Sequence, residues 1–200
     1  MFISEQYIVG IDEAGRGPLA GPVSVAAVAI PVHGNSMRLF DGVDDSKKLS
    51  AKKREYFFTL LRDVALENDI HFFVSFSSAT YIDSYGIVPA IQRALNEVLA
   101  HVVPSPERAN ISLDGSLHAP ECYTKQKTII GGDASVPIIS LASIVAKVSR
   151  DAYMVRMSKK FPLYGFEKHK GYGTKMHGEA LMEHGASSIH RRTFLRNFLE

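Results

Sequence analysis

Two short apolar segments near the start of the chain, separated by only eleven residues, most constrain its fold. Tyr7–Ile11 and Val23–Ile30 are rich in Ile and Val and are bounded by Gly and Pro, a pattern typical of β-strands. The connection over residues 14–22 is too short for the crossover that a parallel pair requires. The sequence therefore predicts an antiparallel pair of strands joined by a glycine-rich loop.

The rest of the chain alternates between strand and helix patterns. Further strands are predicted at 70–76, 110–113 and 128–130, and helices at 50–67, 87–102 and 137–159. The last 35 residues are expected to form helices joined by glycine loops. This order predicts an α/β fold, a mixed sheet with helices on its faces. We expect a main domain over residues 1–160 and a helical C-terminal extension over 161–200 that packs on it.

The composition disfavours several classes of protein. The chain is 46% hydrophobic and 22% charged, which is typical of globular proteins and not of disordered ones. Its longest apolar run, Val25–Ile30, is far shorter than the ~20 residues of a membrane helix, and it opens without a signal-peptide pattern. The single cysteine, Cys122, has no disulfide partner and no zinc-ligand spacing. These features predict a soluble, cytoplasmic protein with no membrane partner.

The charge is distributed unevenly. Residues 1–150 contain 14 Lys and Arg against 16 Asp and Glu, whereas residues 151–200 contain 9 against 5, together with four of the eight histidines. An acidic body with a basic end suits a polyanion held beside a site that itself needs carboxylates. An ordinary solvated helical surface explains the same numbers equally well.

The segment Gly10–Gly17 (GIDEAGRG) places two adjacent carboxylates, Asp12 and Glu13, at the end of an apolar strand. Charges there are costly to desolvate, and neighbouring carboxylates repel, unless a cation lies between them. Successive strand side chains point to opposite faces, so joint ligation requires a bend at the glycines or a backbone carbonyl ligand. For the dipeptide alone, a surface turn is the simpler explanation.

Two more carboxylates follow predicted strands. Asp114 ends the strand at 110–113, and Asp133 follows a pair of glycines just before the long helix; each alone is compatible with a turn. Strand ends in such a sheet converge on one edge, where three or four carboxylates would hold Mg²⁺ or Mn²⁺. Two ions roughly 4 Å apart can stabilise the attacking and leaving oxygens of phosphodiester hydrolysis.

Candidate nucleic-acid contacts occur in three places. Gly15-Arg16-Gly17 permits close backbone approach to a phosphate or a sugar 2′-hydroxyl, although such a tripeptide is more often a flexible turn. On the long helix, Lys147 and Arg150 share a polar face that suits either phosphates or solvent. Tyr172 stands between two glycines in a basic segment, where its ring would stack on a nucleotide or fold back on the core. The histidines are scattered among basic residues, so we expect them at the surface or beside phosphates.

Seven blocks of sequence, in order, carry a family resemblance. They are residues 10–22, 45–50 (DSKKLS), 113–115 (LDG), 132–133 (GD), 142–151 (ASIVAKVSRD), 168–174 (KHKGYGT) and 190–194 (HRRTF). Together they resemble bacterial ribonuclease HII, the type 2 ribonuclease H, from about residue 7 to residue 195. No HExxH, GxSxG or P-loop spacing competes with this interpretation.

The resemblance implies a ribonuclease H-like fold, a five-stranded mixed sheet flanked by helices with a helical C-terminal extension. It also implies hydrolysis of RNA in RNA/DNA hybrids and nicking 5′ to single ribonucleotides in duplex DNA, with Mn²⁺ or Mg²⁺ as cofactor. The products would carry 3′-hydroxyl and 5′-phosphate ends. The partners implied are hybrid and ribonucleotide-containing duplexes, and we expect a monomer without a clamp-binding tail.

The same resemblance assigns roles by position. Four acidic residues would form the catalytic and metal-binding set: Asp12, Glu13, Asp114 and Asp133. The backbone of Gly15, Arg16 and Gly17 would read the 2′-hydroxyl, and Tyr172 would pack against the adjoining deoxyribose. Weaker candidates for phosphate contacts are Lys47, Lys147 and Arg150.

Two alternatives stay open. A non-catalytic module that binds hybrids would be expected to have lost acidic positions, whereas all four are present. Another nuclease with a ribonuclease H fold, such as a type 1 or type 3 ribonuclease H or a resolvase, differs in substrate. The discriminating observation is whether one embedded ribonucleotide suffices, because a type 1 enzyme needs a run of them.

Overall fold

Five strands form one mixed sheet in the order β3-β2-β1-β4-β5. The computed structural model describes residues 6–33, 35–43 and 49–196. The strands are β1 (Tyr7–Ala14), β2 (Val23–Pro31), β3 (His71–Ser77), β4 (Ala109–Asp114) and β5 (Gln126–Ile129). The helices are α1 (Ala51–Val64), α2 (Ala79–Tyr85), α3 (Ile87–Val102), α4 (Pro137–Lys160), α5 (Phe166–His169), α6 (Lys175–His184) and α7 (Arg192–Leu195). The predicted fold class is confirmed.

The first two strands are antiparallel, as their short connection requires. They pair without interruption from Tyr7 opposite Pro31 to Ala14 opposite Ser24. Every residue of β2 is buried, because helices cover both faces of the sheet. Its side chains contribute alternately to a core against α3 and to a second core against α1 and α4. The near-continuous apolar run in the sequence is the signature of this two-sided burial.

The other half of the sheet is parallel and fixes where strand ends meet. β4 runs parallel to β1, with Ile11 opposite Leu113, and β5 runs parallel to β4. The next residues beyond that pair are Asp12 and Asp114. Parallel strands end on the same edge, so the register alone brings these two carboxylates side by side.

Helix α4 crosses the central strand at very close range. A Cβ atom on Gly10 would lie 2.1 Å from the carbonyl oxygen of Ile138, far inside van der Waals contact. Only glycine therefore allows α4 to pack this closely against β1. The close approach also brings the polar side chains of α4, Ser143 and Lys147, to the carboxylate edge.

Most predicted elements lie within a few residues of their observed bounds. The predicted helix at 87–102 matches α3, and Ser50 caps α1 by accepting a hydrogen bond from the Lys53 amide. The short helix α2 was not expected; its N-cap is Ser78, which accepts from the Tyr81 amide. Strand β5 begins and ends slightly earlier than the prediction of 128–130.

The C-terminal segment consists of short helices separated by glycines, as predicted. These helices and the end of α4 share a third apolar cluster, which includes Met154, Tyr164, Phe166 and Leu181. Residues Ala20 and His190 form an isolated antiparallel bridge, so this segment also pairs with the loop after β1. Within the described residues, no helix is long and apolar enough to cross a membrane.

Candidate active site

Three carboxylates meet at the edge of the sheet where β1 and β4 end. One oxygen each from Asp12, Asp114 and Asp133 lies within 4.8 Å of the other two. Asp12 and Asp133 are buried, with 4% and 3% of their surfaces exposed, and Asp114 is half-buried. Three of the four predicted acidic residues thus form one compact cluster.

Asp133 reaches the cluster through a short turn and not through a strand. After β5, Gly131 adopts a left-handed conformation and residues Gly132–Ala134 form a single 3₁₀ turn before α4. The Asp133 amide donates to Asp114 Oδ1 at 3.3 Å, and Ser140 Oγ donates to the Asp133 carbonyl at 2.7 Å. These contacts hold the third carboxylate against the strand ends.

The electrostatics of the site disfavour a negative charge on Asp12 and on Glu13. Burial raises the pKa of Asp12 well above its ordinary value, and the carboxylates of Glu13 and Asp114 raise it further, against a hydrogen bond from Ser143. Burial also raises the pKa of Glu13, which the neighbouring Arg16 partly offsets. A divalent cation would remove both penalties, because it replaces lost hydration and separates like charges.

Glu13 lies beside the three-aspartate cluster without being one of its members. Strand pairing stays regular through Ala14, so the glycines do not bend the strand between Asp12 and Glu13. Glu13 Oε1 instead accepts a hydrogen bond from Arg16 Nη1 at 3.1 Å. Its carboxylate still lines the same cleft, at the mouth of the site.

A cleft of about 470 Å³ opens above the carboxylates. It brings together eight of the eleven predicted site residues. They are Asp12, Glu13, Gly15, Arg16, Gly17, Asp114, Lys147 and Tyr172. Ala14, Arg54 of α1 and Ser143 of α4 complete the lining. Arg54 was not predicted as a site residue, and no spacing in the sequence links it to the acidic motifs.

The Gly15–Gly17 loop is held from behind by a buried arginine. Arg191 is fully buried, and its guanidinium donates to the carbonyls of Gly15 (2.6 Å), Arg16 (2.9 Å) and Gly21 (2.9 Å). In a trans peptide the N–H points opposite to the C=O. The amides of Arg16 and Gly17 therefore point away from Arg191. Burial lowers the pKa of Arg191 to about 9, so the side chain stays charged at neutral pH.

Arg150 occupies a different place from the predicted phosphate contact. It is 1% exposed and donates to three carbonyls, those of Pro22 (2.9 Å), Lys170 (3.0 Å) and Ala20 (3.1 Å). Gly15, with φ of 89°, leaves room for it: a Cβ there would lie 2.0 Å from Arg150 Nε. Helical spacing placed Arg150 on the correct face but could not reveal that a loop covers that face.

Tyr172 and Lys147 line the same cleft as Asp12 and Asp114. The Tyr172 ring is 42% exposed, and Lys147 Nζ lies 5.8 Å from its centroid. Lys147 also pairs with Asp151 at 2.9 Å, one helical turn along α4. Both side chains are thus accessible from the cleft. Lys47, the remaining candidate, lies outside the described residues. So do residues 197–200, part of the C-terminal end in which no clamp-binding tail is expected.

The expectation that histidines lie at the surface or beside phosphates is wrong for three of them. His169, His177 and His190 are 8%, 0% and 2% exposed. Their rings pack against Tyr164 and Phe166. This cluster lies beside the Tyr172 turn, which is the connection over residues 170–174 between α5 and α6. Basic neighbours in sequence misled the prediction. The rings that bury His177 and His190 come from residues 164–166, and His169 packs against Phe166 of its own helix, α5.

Solved structures with similar folds define the class. The chain aligns with ribonuclease H2 from Pyrococcus horikoshii OT3 at a TM-score of 0.71 and 26% identity, covering 96% of each chain. It aligns with ribonuclease HII from Archaeoglobus fulgidus, solved as a complex with PCNA, at a TM-score of 0.72 and 28% identity, covering 92% of this chain and 93% of that one. The fold is ribonuclease H-like, and the class is a ribonuclease H-type nuclease.

Sequence comparison gives the family. The family model described as Ribonuclease HII matches residues 9–197. A ribonuclease HII from Ruminiclostridium cellulolyticum is 43% identical over 194 residues, which is 97% of this chain and 72% of that protein. The chain belongs to the ribonuclease HII family. It is accordingly an enzyme of the ribonuclease H type, whose acidic cluster is compatible with binding a divalent metal.

Proposed function

We propose that the protein is an endonuclease that hydrolyses the RNA strand of RNA/DNA hybrids and nicks duplex DNA 5′ to single embedded ribonucleotides. The nick would leave a 3′-hydroxyl and a 5′-phosphate. The observation that carries this proposal is the juxtaposition, in one cleft, of the aspartate cluster, the glycine loop and the exposed Tyr172 ring. All four acidic positions are present, which argues against a module that only binds hybrids.

Asp12, Asp114 and Asp133 would hold the metal, with Glu13 at the edge of the set. Their all-oxygen donor set suits Mg²⁺ or Mn²⁺. Their spacing, together with the raised pKa values of Asp12 and Glu13, fits a hard cation. Bound metal would activate water and neutralise the charge that develops on the phosphate, in a two-ion arrangement. The carboxylates would fix the position at which that charge is neutralised.

The glycine loop and Tyr172 would supply substrate selection. Since the Arg16 and Gly17 amides point away from Arg191, they are suited to contact a ribose 2′-hydroxyl and its phosphate. Tyr172 would pack its ring against the next sugar, a deoxyribose, where an additional hydroxyl would crowd it. Lys147 would meet a phosphate beside that ring.

Several broader assignments belong to the same proposal. Catalysis is assigned to residues 1–160 and the placement of Tyr172 to the extension over 161–200. We expect a cytoplasmic monomer that forms no stable partnership with a sliding clamp. The archaeal relative solved with PCNA makes this last point worth testing by adding the clamp to the assay.

The test compares four labelled duplexes: one internal ribonucleotide in DNA, a continuous RNA/DNA hybrid, all-DNA and all-RNA. The proposal predicts a single nick 5′ to the lone ribonucleotide and cleavage within the hybrid, with the other two intact. Tyr172→Ala should lose most cleavage at the lone ribonucleotide, whereas Tyr172→Phe, which keeps the ring, should retain it. Cleavage confined to RNA tracts would instead assign the chain to a different ribonuclease H specificity.

A further inference from the structure

Two buried histidines that have no place in the catalytic chemistry connect directly to the substrate-facing turn. His177 and His190 face each other across a distance of 2.9 Å between their Nε2 atoms. His177 comes from α6, and His190 lies just before α7. Both rings are enclosed by the aromatic rings of the C-terminal cluster, with Phe166 5.6 Å from each by ring centroid.

Backbone groups at both ends fix the direction of this hydrogen-bonded chain. The Ser187 amide donates to His190 Nδ1 at 2.9 Å, so the proton of neutral His190 is on Nε2. That Nε2–H donates to His177 Nε2, whose ring must then carry its proton on Nδ1. His177 Nδ1–H donates to the Tyr172 carbonyl at 2.9 Å. Amides only donate and carbonyls only accept, so no other pair of neutral tautomers satisfies all three bonds.

His190 also connects the chain to the glycine loop. It pairs with Ala20 in the antiparallel bridge, and the following amide, that of Arg191, donates to the Leu19 carbonyl at 2.8 Å. The Arg191 guanidinium then holds Gly15 and Arg16. The Tyr172 turn is tied to the same loop through Gly171, whose carbonyl accepts from the Leu19 amide at 2.8 Å. Residues 189–191 therefore contact the glycine loop, and the glycine loop in turn contacts the segment that carries Tyr172.

We propose that His177 and His190 are positioning residues that set the place of Tyr172 relative to the Gly15–Gly17 loop, and through it the preference for a lone ribonucleotide over continuous RNA. The proposal rests on the function assigned to Tyr172 above. Neither histidine touches substrate; each acts through the Tyr172 carbonyl. Recognition of one ribose followed by one deoxyribose requires that the glycine loop and Tyr172 lie at a fixed separation. A continuous hybrid does not require that separation, because it can bind in many registers along its RNA strand.

The experiment measures kcat and KM on the single-ribonucleotide duplex and on the continuous hybrid with Mn²⁺. His177→Leu removes both side-chain hydrogen bonds. His177→Asn keeps a donor at the Nδ1 position, and so the bond to Tyr172. Tyr164→Phe is the matched control: it loses a 2.9 Å bond to the Gly185 carbonyl in the same cluster, and that bond is not part of the His190–His177–Tyr172 chain.

For His177→Leu we expect the ratio of kcat/KM, lone ribonucleotide over hybrid, to fall about tenfold, the equivalent of one lost hydrogen bond. His177→Asn should restore the ratio to within about threefold of wild type, and Tyr164→Phe should leave it unchanged while lowering Tm. In wild-type protein, ¹⁵N NMR of the imidazoles should show the Nδ1–H tautomer for His177 and Nε2–H for His190.

Each failure has a distinct signature. An unchanged ratio in His177→Leu, with wild type nicking at the lone ribonucleotide, overturns the positioning role and leaves the proposed function intact. A wild-type protein that cuts only continuous hybrid overturns the proposed function itself. The opposite tautomers in the NMR spectrum would overturn the hydrogen-bonded chain regardless of activity.

Discussion

Two buried polar regions of this protein differ in how far the cost of desolvating their polar groups is offset within the protein. At the sheet edge, Asp12, Asp114 and Asp133 bring like charges within 4.8 Å, and burial raises the pKa of Asp12. Beneath the Tyr172 turn, Arg191 and the histidines meet backbone carbonyls and amides at nearly every polar atom. The first region concentrates negative charge, whereas the second pairs its donors and acceptors within the protein.

This difference distinguishes the carboxylate cluster, which is the candidate active site, from the hydrogen-bonded network that supports it. A buried network whose donors and acceptors are matched is rigid and contributes to stability. A cluster of uncompensated carboxylates costs stability, and folds retain such clusters where chemistry needs the charge. Changing the two regions should therefore move activity and stability in different directions.

The largest effect is expected for Asp12→Asn. This change removes a metal ligand while keeping the side chain's shape, so cleavage should fall about a thousandfold. In the presence of chelator the variant should melt at a higher temperature than wild type, because a disfavoured buried charge is gone. Cleavage rates test the predicted loss of activity, and thermal melts in chelator test the predicted rise in Tm. A lower Tm combined with near-normal cleavage would mean that the carboxylate is structural.

Arg191→Met should show the reverse pattern in stability. Three backbone carbonyls, two of them in buried hydrogen bonds, lose their donor. We expect this to cost about 3 kcal/mol and to lower Tm by roughly 6–12 °C. Chemical denaturation measures the loss. Stability equal to wild type would show that the loop carbonyls find other partners, and the contrast between the two regions would then fail.

Metal binding should stabilise the first region alone. At about 100 times Kd, Mn²⁺ is expected to add about 2.7 kcal/mol to the free energy of unfolding. The gain in Tm should disappear in Asp114→Asn and persist in Tyr164→Phe. An equal gain in all three proteins would place the ion elsewhere.

Acid should weaken the second region. Burial, with the neighbouring His177 as a lesser cause, lowers the pKa of His190 from 6.5 to about 4. The folded protein therefore binds fewer protons than the unfolded chain, so stability is complete above about pH 6.5 and falls towards pH 4. The expected loss is on the order of 1–2 kcal/mol.

A His190→Gln variant is the control for this titration. The raised pKa values of Asp12 and Glu13 act with the opposite sign, and they are common to both proteins. The Tm values of the two proteins should therefore diverge between pH 7.5 and pH 4.5. The Tm of the variant should depend less steeply on pH than that of the wild type. Parallel curves would assign the acid sensitivity to other groups.

The smallest effect is expected for Arg16→Ala. Its pair with Glu13 is at the surface, with the arginine side chain 47% exposed, so the free energy of unfolding should change by less than about 0.5 kcal/mol. Denaturant titration of this variant beside Arg191→Met compares the contributions to stability of an exposed arginine in the Gly15–Gly17 loop and the buried arginine that holds that loop. A comparable loss in both would remove the distinction.

The sequence alone was sufficient for the sheet and the carboxylate edge. Apolar runs marked the strands, and the short connection at residues 14–22 required an antiparallel pair. Asp12 and Asp114 each directly follow an apolar stretch, so the prediction that strand ends converge was enough to bring them together. These signals are local, and each depends on a few neighbouring residues.

The supporting network could not be predicted in this way. Arg150 and Arg191 bind backbone carbonyls more than 120 residues away in sequence, and backbone atoms leave no trace in residue identity. His177 and His190 sit among basic residues that resemble a surface, while the aromatic rings that bury them come from residues 164–166. Helical periodicity shows which face a side chain occupies, but not what covers that face.

The most direct test of the central claim is cleavage of the single-ribonucleotide duplex by chelator-treated protein, before and after adding Mn²⁺ or Mg²⁺, beside Asp114→Asn. We predict no cleavage in chelator, a single nick 5′ to the ribose on restoring either ion, and loss of that nick in the variant. Cleavage that survives chelator, or that proceeds at the wild-type rate in Asp114→Asn, would contradict a metal-dependent site at this edge of the sheet.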